Sequence, residues 1–347
     1  MTKPMHSLKL VFLSLCFLAS SITASAQNEP VDYLNQINDY LTQYTTEVWS
    51  YVSTASHSRS VKKVEKKRLE LLSFNKEISA KLKKMPAFED NTAFRDTVIT
   101  FFDLAYAVLN EDYSKIMDME AIAEQSFDLM EAYMMARKKA QDKIVAAGDD
   151  TQKAYMNFAK QHNITITEEE NELEKKFNAA NKVMDYHDEI YLIFFKSYKQ
   201  DLYLVDALNM ADIGAMEQNK NSLAQYANEG LIRLKQIGAF KGDKSLQIAA
   251  TNILTFYNNE ANEKTPLLID YYLTKEKFTK IQTAFEAKKT KDRTQDDVDQ
   301  YNDYINLLNK KTEVFNSTNN YLNAKRTELL DNYNKATANL LDKFVPK

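Results

Sequence analysis

The chain of 347 residues contains only 5 glycines and 5 prolines, under a quarter of the ~12% that these two residues supply in an average protein. That scarcity argues against an all-β architecture with many tight turns and against a glycine-rich phosphate cradle. With 27% charged residues, 44% apolar residues and a net charge of −4, the composition is that of a folded chain rather than a disordered one.

Residues 1–26 carry the pattern of a secretory signal. Lys3 and Lys9 give a positive start, Leu8 to Ala19 is mostly apolar, and Ala24-Ser25-Ala26 supplies a small-x-small site before Gln27. Cleavage is expected between Ala26 and Gln27. The apolar run is shorter than the ~20 residues needed to span a bilayer, so no membrane span is expected in the mature chain. Cys16, the one cysteine, lies in this run behind Leu15, whereas lipid attachment needs a small residue there. The chain from Gln27 onward would then lack disulfides, thiol nucleophiles and cysteine metal sites. Removing Lys3 and Lys9 leaves 43 basic against 49 acidic residues, a net charge of −6. Nucleic acid is not expected as a partner of such a mixed surface. The densest basic run, Lys62, Lys63, Lys66, Lys67 and Arg68, is broken by Glu65 and reads as a solvated helix face.

Hydrophobic spacing gives the fold class. Leu34, Ile37, Leu41, Tyr44, Val48, Tyr51 and Ala55 alternate steps of three and four, which puts them on one helical stripe. Helices are predicted over 31–56, 60–85, 92–110 and 113–147, with a shorter one at 151–162 after a stop at Gly148-Asp149-Asp150. A second series follows at 168–209, 212–237, 243–262, 266–291 and 295–344. Thr167 with Glu170, and Thr294 with Asp297, have capping-box spacing; Thr265-Pro266 reads as a helix start. The last helix has a heptad stripe from Val298 to Leu340 that includes the polar residues Thr312, Asn319 and Arg326. The segment Ile190–Phe195 is apolar on every side, which a helix buried all round requires.

The two series are related by an offset of 152. Leu71, Glu77, Leu82, Lys83, Ala87 and Phe88 recur as Leu223, Glu229, Leu234, Lys235, Ala239 and Phe240, and Pro86 coincides with Gly238. Six identities over positions 71–88 compare with about one expected from composition. The expected fold is therefore all-α, with two tandem, internally repeated up-and-down bundles at 31–166 and 167–347 and a long C-terminal helix. A stiff helical connection is expected between Thr165 and Asn181.

No catalytic, cofactor-binding or metal-binding residue is assigned. His57, His162 and His187 are far apart, without the spacing of a helical metal motif. Asp185 to Glu189 is rich in ligand types, but consecutive helical residues diverge, so at most two reach one ion. Ser56-His57-Ser58 has no orienting acid nearby in sequence, and no G-x-S-x-G elbow occurs. Aromatic residues are the remaining binding candidates. Tyr33, Tyr40 and Trp49 on the first helix, with Tyr191 and Tyr198 in the second series, either wall an inter-helical groove or pack at bundle edges with wet hydroxyls.

Gly238-Ala239-Phe240-Lys241-Gly242-Asp243, followed by Leu246 and Phe256-Tyr257, and the earlier Phe158-Ala159-Lys160-Gln161-His162-Asn163-Ile164, resemble a family of exported helical bacterial surface proteins first catalogued in spirochaetes. The resemblance covers most of 31–330. It implies an exported helical protein, often lipid-anchored and mostly without assigned activity, some members binding host proteins; it carries no functional residues over. The missing lipidation site at Cys16 departs from the anchored pattern. The sequence thus points to a non-enzymatic helical protein without cofactor, in the periplasm or at the outer cell surface, binding an unknown protein or envelope component. An envelope spacer, and an enzyme or small-ligand carrier with an inter-helical cleft, are the rival readings; the heptads leave oligomeric state open. N-terminal sequencing of the exported protein should begin at Gln27, and a retained Met1 would refute the cleaved leader.

Overall fold

Helices occupy the stretches where three-four apolar spacing runs without interruption. The computed structural model describes residues 19–21, 29–58, 60–112, 123–169 and 172–347. Helix α1 spans Glu29–His57, α2 Val61–Lys84, α3 Ala93–Ala107 and α4 Phe127–Gln161. Helix α5 spans Glu172–Met210, α6 Ile213–Gln236, α7 Ser245–Asn259, α8 Thr265–Ala287 and α9 Gln295–Phe344. A π-turn, Val108–Asp112, extends α3, and another, Glu260–Lys264, joins α7 to α8. Among the described residues, extended pairing is confined to Ala19–Ser21 with Thr167–Glu169 and to two single bridges. The fold is all-α.

Two compact units are present, one formed by His187–Thr337 and the other by residues up to Tyr186 with Ala338–Lys347. In the latter, the α1 stripe Leu34, Ile37, Leu41, Tyr44, Val48 and Tyr51 is buried, and Tyr44 meets Phe101 and Phe102 of α3 edge-on at 6.1 and 4.9 Å. In the former, Ile190, Phe194 and Leu204 of α5 are buried with Leu223 of α6, Ile253 of α7 and Tyr333 of α9. Phe194 stacks on Tyr333 at 4.5 Å. The all-round apolar segment Ile190–Phe195 is thus core, with only Leu192 partly exposed.

Bounds and turns recur at the offset seen in the sequence. Helices α2 and α6, α3 and α7, and the two π-turns each begin and end at that same offset. Between α2 and α3, Phe88 and Asn91 exchange backbone hydrogen bonds of 3.1 and 2.8 Å around Glu89 and Asp90, both at positive φ. Between α6 and α7, Phe240 and Asp243 do the same at 3.0 and 2.9 Å around Lys241 and Gly242, again both at positive φ. Two left-handed residues inside a two-residue loop define the mirror-image tight turn that reverses a chain. The side chain of Arg95 donates to the Met85 carbonyl, and its counterpart Gln247 donates to the Ile237 carbonyl at 2.9 Å.

Several expectations are corrected. Gly148 does not stop a helix; it lies buried inside α4, because a lone glycine costs only ~1 kcal/mol relative to alanine, too little to break 35 residues of helix. Thr167 does not cap a helix either, since it joins the Thr167–Glu169 pairing and α5 starts at Glu172. The first part of the connection is consequently extended rather than helical. Thr265-Pro266 does open α8, with the proline in the first turn, but the cap position is Lys264 and the chain enters from the π-turn. Arg68 does not belong to a solvated face: it is buried, and its Nη1 donates to the Leu109 carbonyl at 2.9 Å, where the π-turn releases backbone acceptors. The stretch 113–122, expected as helix, lies outside the described residues. The units divide inside α5 and α9, between Tyr186 and His187 and between Thr337 and Ala338, whereas the sequence placed one boundary at 166/167.

Glycine positions give a paired test. A Cβ on Gly148 meets nothing within 4 Å, whereas one on Gly230 falls 2.7 Å from Leu254 Cδ1 and 3.2 Å from Ile193 Cγ2. Gly148→Ala should raise stability by about 0.5–1 kcal/mol, and Gly230→Ala should lower it by about 1–2 kcal/mol as α6 is pushed from its neighbours. Urea denaturation of both variants checks the signs.

Candidate functional site

The strongest cluster of titratable groups is assembled by three elements of the His187–Thr337 unit. Helix α5 supplies Asp201 from the stripe Ile190, Phe194, Ser197, Asp201, Leu204, in which every residue is buried. The π-turn after α7 supplies Glu260 at its first position; the wider turn re-aims side chains that a regular helix would spread. Helix α9 supplies Arg326, a seam residue between buried Leu322 and Tyr333. Side-chain exposure is 2% for Arg326, 1% for Asp201 and 0% for Glu260.

The guanidinium distributes its donors among three acceptors. Arg326 Nε reaches Asp201 Oδ1 at 3.1 Å and Oδ2 at 3.0 Å, and Nη1 reaches Asn323 Oδ1 at 3.1 Å. Nη2 donates to Glu260 Oε1, while Glu260 Oε2 receives no donor. Two carboxylates and one guanidinium sum to −1, and an uncompensated buried charge is costly enough that the group takes up a proton instead. Loss of water, and then the negative charge of Asp201, push the Glu260 carboxyl well above its usual range despite Arg326. Burial also raises Asp201, with Arg326 opposing. A proton held between Glu260 and Asp201, whose side chains interact, would bring the cluster to neutrality. The Tyr257 hydroxyl, raised by burial and then by both acids, stays neutral beside them.

The aromatic candidates are mostly interior. Tyr33, Trp49, Tyr191 and Tyr198 are buried. Tyr33 packs on Phe88 and Phe158 at 5.2 and 5.6 Å and donates its hydroxyl to the Pro86 carbonyl at 3.3 Å. Trp49 meets Phe177 edge-on at 5.2 Å, with Lys176 Nζ 5.7 Å from its ring. Tyr191 stacks on Phe195 at 5.4 Å, and Tyr198 lies 5.6 Å from Phe194. Only Tyr40 of the five retains partial exposure, with Lys81 Nζ 5.9 Å from its ring. Four of these five rings lie inside the bundles. Ala26 and Gln27 lie outside the described residues.

Histidine contacts escape sequence spacing. His57 Nδ1 lies 3.0 Å from Asp342 Oδ1, an orienting acid 285 residues away. His187 Nδ1 lies 3.0 Å from Asp188 Oδ1. Among the described residues no group of three or more His, Cys, Asp or Glu side chains can hold a metal ion. Lys62, Glu65, Lys66, Leu69, Glu70 and Ser73 line a hollow of about 630 Å³ on α2; all six come from one helix, and Lys66 and Glu70 already pair.

The end of α8 and the start of α9 form a different kind of surface. They fold into a two-helix arm in which every residue from Lys275 to Ser317 is at least partly exposed. Its seam is aromatic: Phe285 stacks on Tyr301 at 4.6 Å, Phe278 lies 5.7 Å from Tyr301, and Tyr271 lies 4.4 Å from Phe315. The turn is pinned by the expected capping box. Asp297 N–H donates to Thr294 Oγ1 at 3.2 Å, and Thr294 N–H donates to Asp297 Oδ2 at 2.9 Å. Lys288, first, and then this backbone bond hold the Asp297 carboxyl down at about 2. Charge divides between the two legs. Lys275–Arg293 holds seven basic and three acidic residues; Thr294–Glu313 holds five acidic and two basic.

The chain matches no protein-family model, no curated protein and no solved structure. Two features of the cluster were missed in the sequence. Asp201 is an acid within an apolar stripe, and Glu260 follows the stripe Leu246, Ala250, Ile253, Tyr257; an acid in register with a core face is the signal that finds both.

The cluster predicts a pH dependence of definite sign. An unfolded glutamate titrates near 4.5, and the folded Glu260 value is higher. The stability tied to its proton is whole below pH 4.5 and is lost as pH rises through the folded value. Glu260→Gln should flatten that loss in urea midpoints measured across pH, whereas Arg326→Ala should cost about 3–5 kcal/mol by stranding Asp201. A wild-type midpoint that rises on alkaline titration would contradict the assignment.

Proposed function

We propose that this chain is an exported, non-enzymatic helical protein that binds a protein or envelope component in the periplasm or at the cell surface, with the α8–α9 arm as its binding element. The arm carries the proposal: a two-helix layer leaves Phe278, Phe285, Tyr301 and Tyr304 half-exposed, and amphipathic aromatic rings at low conformational cost are the usual anchors of protein interfaces. The leader pattern at 1–26 supports export. The sealed Asp201–Arg326–Glu260 cluster supports a non-enzymatic reading, since groups with 0–2% exposure offer no surface to a substrate.

The bounds and turns that match at the repeat offset support a tandem duplication of one helical unit, and the resemblance to exported helical surface proteins rests on one of those turns, Gly238–Asp243. A spacer reading is favoured by α9, whose 50 residues make a rod of about 75 Å.

One experiment separates the readings. A photo-crosslinking residue is placed in living cells at Leu307 on the arm or at Ile248 on α7, which are 39% and 54% exposed, and intact cells are then shaved with protease. Adducts from Leu307 alone support binding through the arm. Adducts from both positions favour a spacer, which must hold components at more than one place, and adducts from neither refute both.

A further inference from the structure

We infer that the occupant of the arm is a second copy of this chain, the two arms pairing seam to seam into an antiparallel-legged bundle of four helices. The inference rests on the proposal that the arm is a binding element and goes on to name its partner. It starts from charge. The α8 leg, with its turn, carries a net charge of +4 from Lys275 to Arg293, and the α9 leg carries −3 from Thr294 to Glu313. Lys288 with Asp297 and Lys311 with Asp270 already bridge the legs, yet Lys289, Lys291, Asp299 and Asp303 all remain exposed.

A partner bearing one sign of charge would attract one leg and repel the other. A second copy attracts both. When two such hairpins face each other about a twofold axis along the bundle, like legs fall on the diagonal, so each basic leg lies between two acidic legs. Electrostatic complementarity of this kind fixes partner and register.

The apolar side agrees with the charge. One helix covers only one flank of another, so Phe278, Ile281 and Phe285 of α8 and Tyr301, Tyr304 and Leu308 of α9 are all only part-buried in a single chain. A facing pair of hairpins closes over both seams at the roughly 8–10 Å spacing of packed helices, which is the ordinary geometry of a four-helix bundle. The polar seam residue Thr312 is also only partly buried; polar groups at such positions select register between helices.

Two charge variants test this. Lys289→Glu with Lys291→Glu makes the basic leg more acidic, and Asp299→Lys with Asp303→Lys makes the acidic leg more basic. In sedimentation of the purified exported chain, wild type should dimerise. Each variant alone should raise the dissociation constant by at least about tenfold, with unchanged helical circular dichroism. An equimolar mixture of the two variants should restore pairing, because the substituted positions again meet opposite signs across the interface between chains. A monomer at every concentration, or a dimer indifferent to all four charges, overturns the inference. If the chain is monomeric while Leu307 crosslinks to a different protein in cells, self-pairing fails and binding through the arm stands. If Leu307 gives no adduct at all, both fail.

Discussion

A guanidinium held between two carboxylates inside an apolar helix bundle is the constraint that organises the C-terminal unit. Arg326 meets Asp201 and Glu260 with almost no solvent contact, and three ionisable groups buried together approach neutrality only when one carboxyl keeps its proton. That arrangement fixes the axial position of α9 against α5 and against the π-turn at Glu260, because a slip of one helical turn, about 5.4 Å, would break the contacts of Arg326 Nε with Asp201 and of Nη2 with Glu260. Stability alone does not demand this arrangement. The positions 152 residues before Asp201 and Glu260 are Trp49 and Val108, both buried and apolar, and apolar packing is often as stable as a buried ion pair. What the ionic version adds is a unique register.

Register matters because α9 is one helix from Gln295 to Phe344. The same rod that places Arg326 in the core carries Tyr301 and Phe315 into the arm, so the depth at which the arm's aromatic seam meets α8 is set by the buried cluster. The capping box at Thr294 and Asp297 closes the other end. Between these fixed points the arm holds its half-exposed rings in place without a packed interior, which is the preorganisation that an interaction surface requires.

Helix positions were legible from apolar spacing because most elements bury a stripe: the stretch expected at 295–344 is α9, and the one at 212–237 is α6 within a residue at either end. The repeated turn was legible as identities around Ala87-Phe88 and Ala239-Phe240. Punctuation was less reliable. Gly148 reads as a stop, but its cost is smaller than the packing of the helix around it, and Thr167 reads as a cap although the helix begins only at Glu172. The π-turns leave no composition signal at all, since they differ from α-helix only in a slightly wider turn.

The site was legible only in part. Arg326 stood out as a polar residue in a heptad seam, but its partners lie 125 and 66 residues away, a distance that no local pattern bridges. The tyrosines left two readings open for a physical reason: a ring suits a bundle core as well as a binding groove, and only burial separates the two. The most direct test of the account is infrared spectroscopy of the folded protein at neutral pH in the region of protonated carboxyl stretches. The account requires a protonated carboxyl band at neutral pH that disappears in Glu260→Gln and persists in Asp299→Asn; a spectrum with no protonated carboxyl at neutral pH would mean that the buried cluster holds its charges in some other way, and the account would fail.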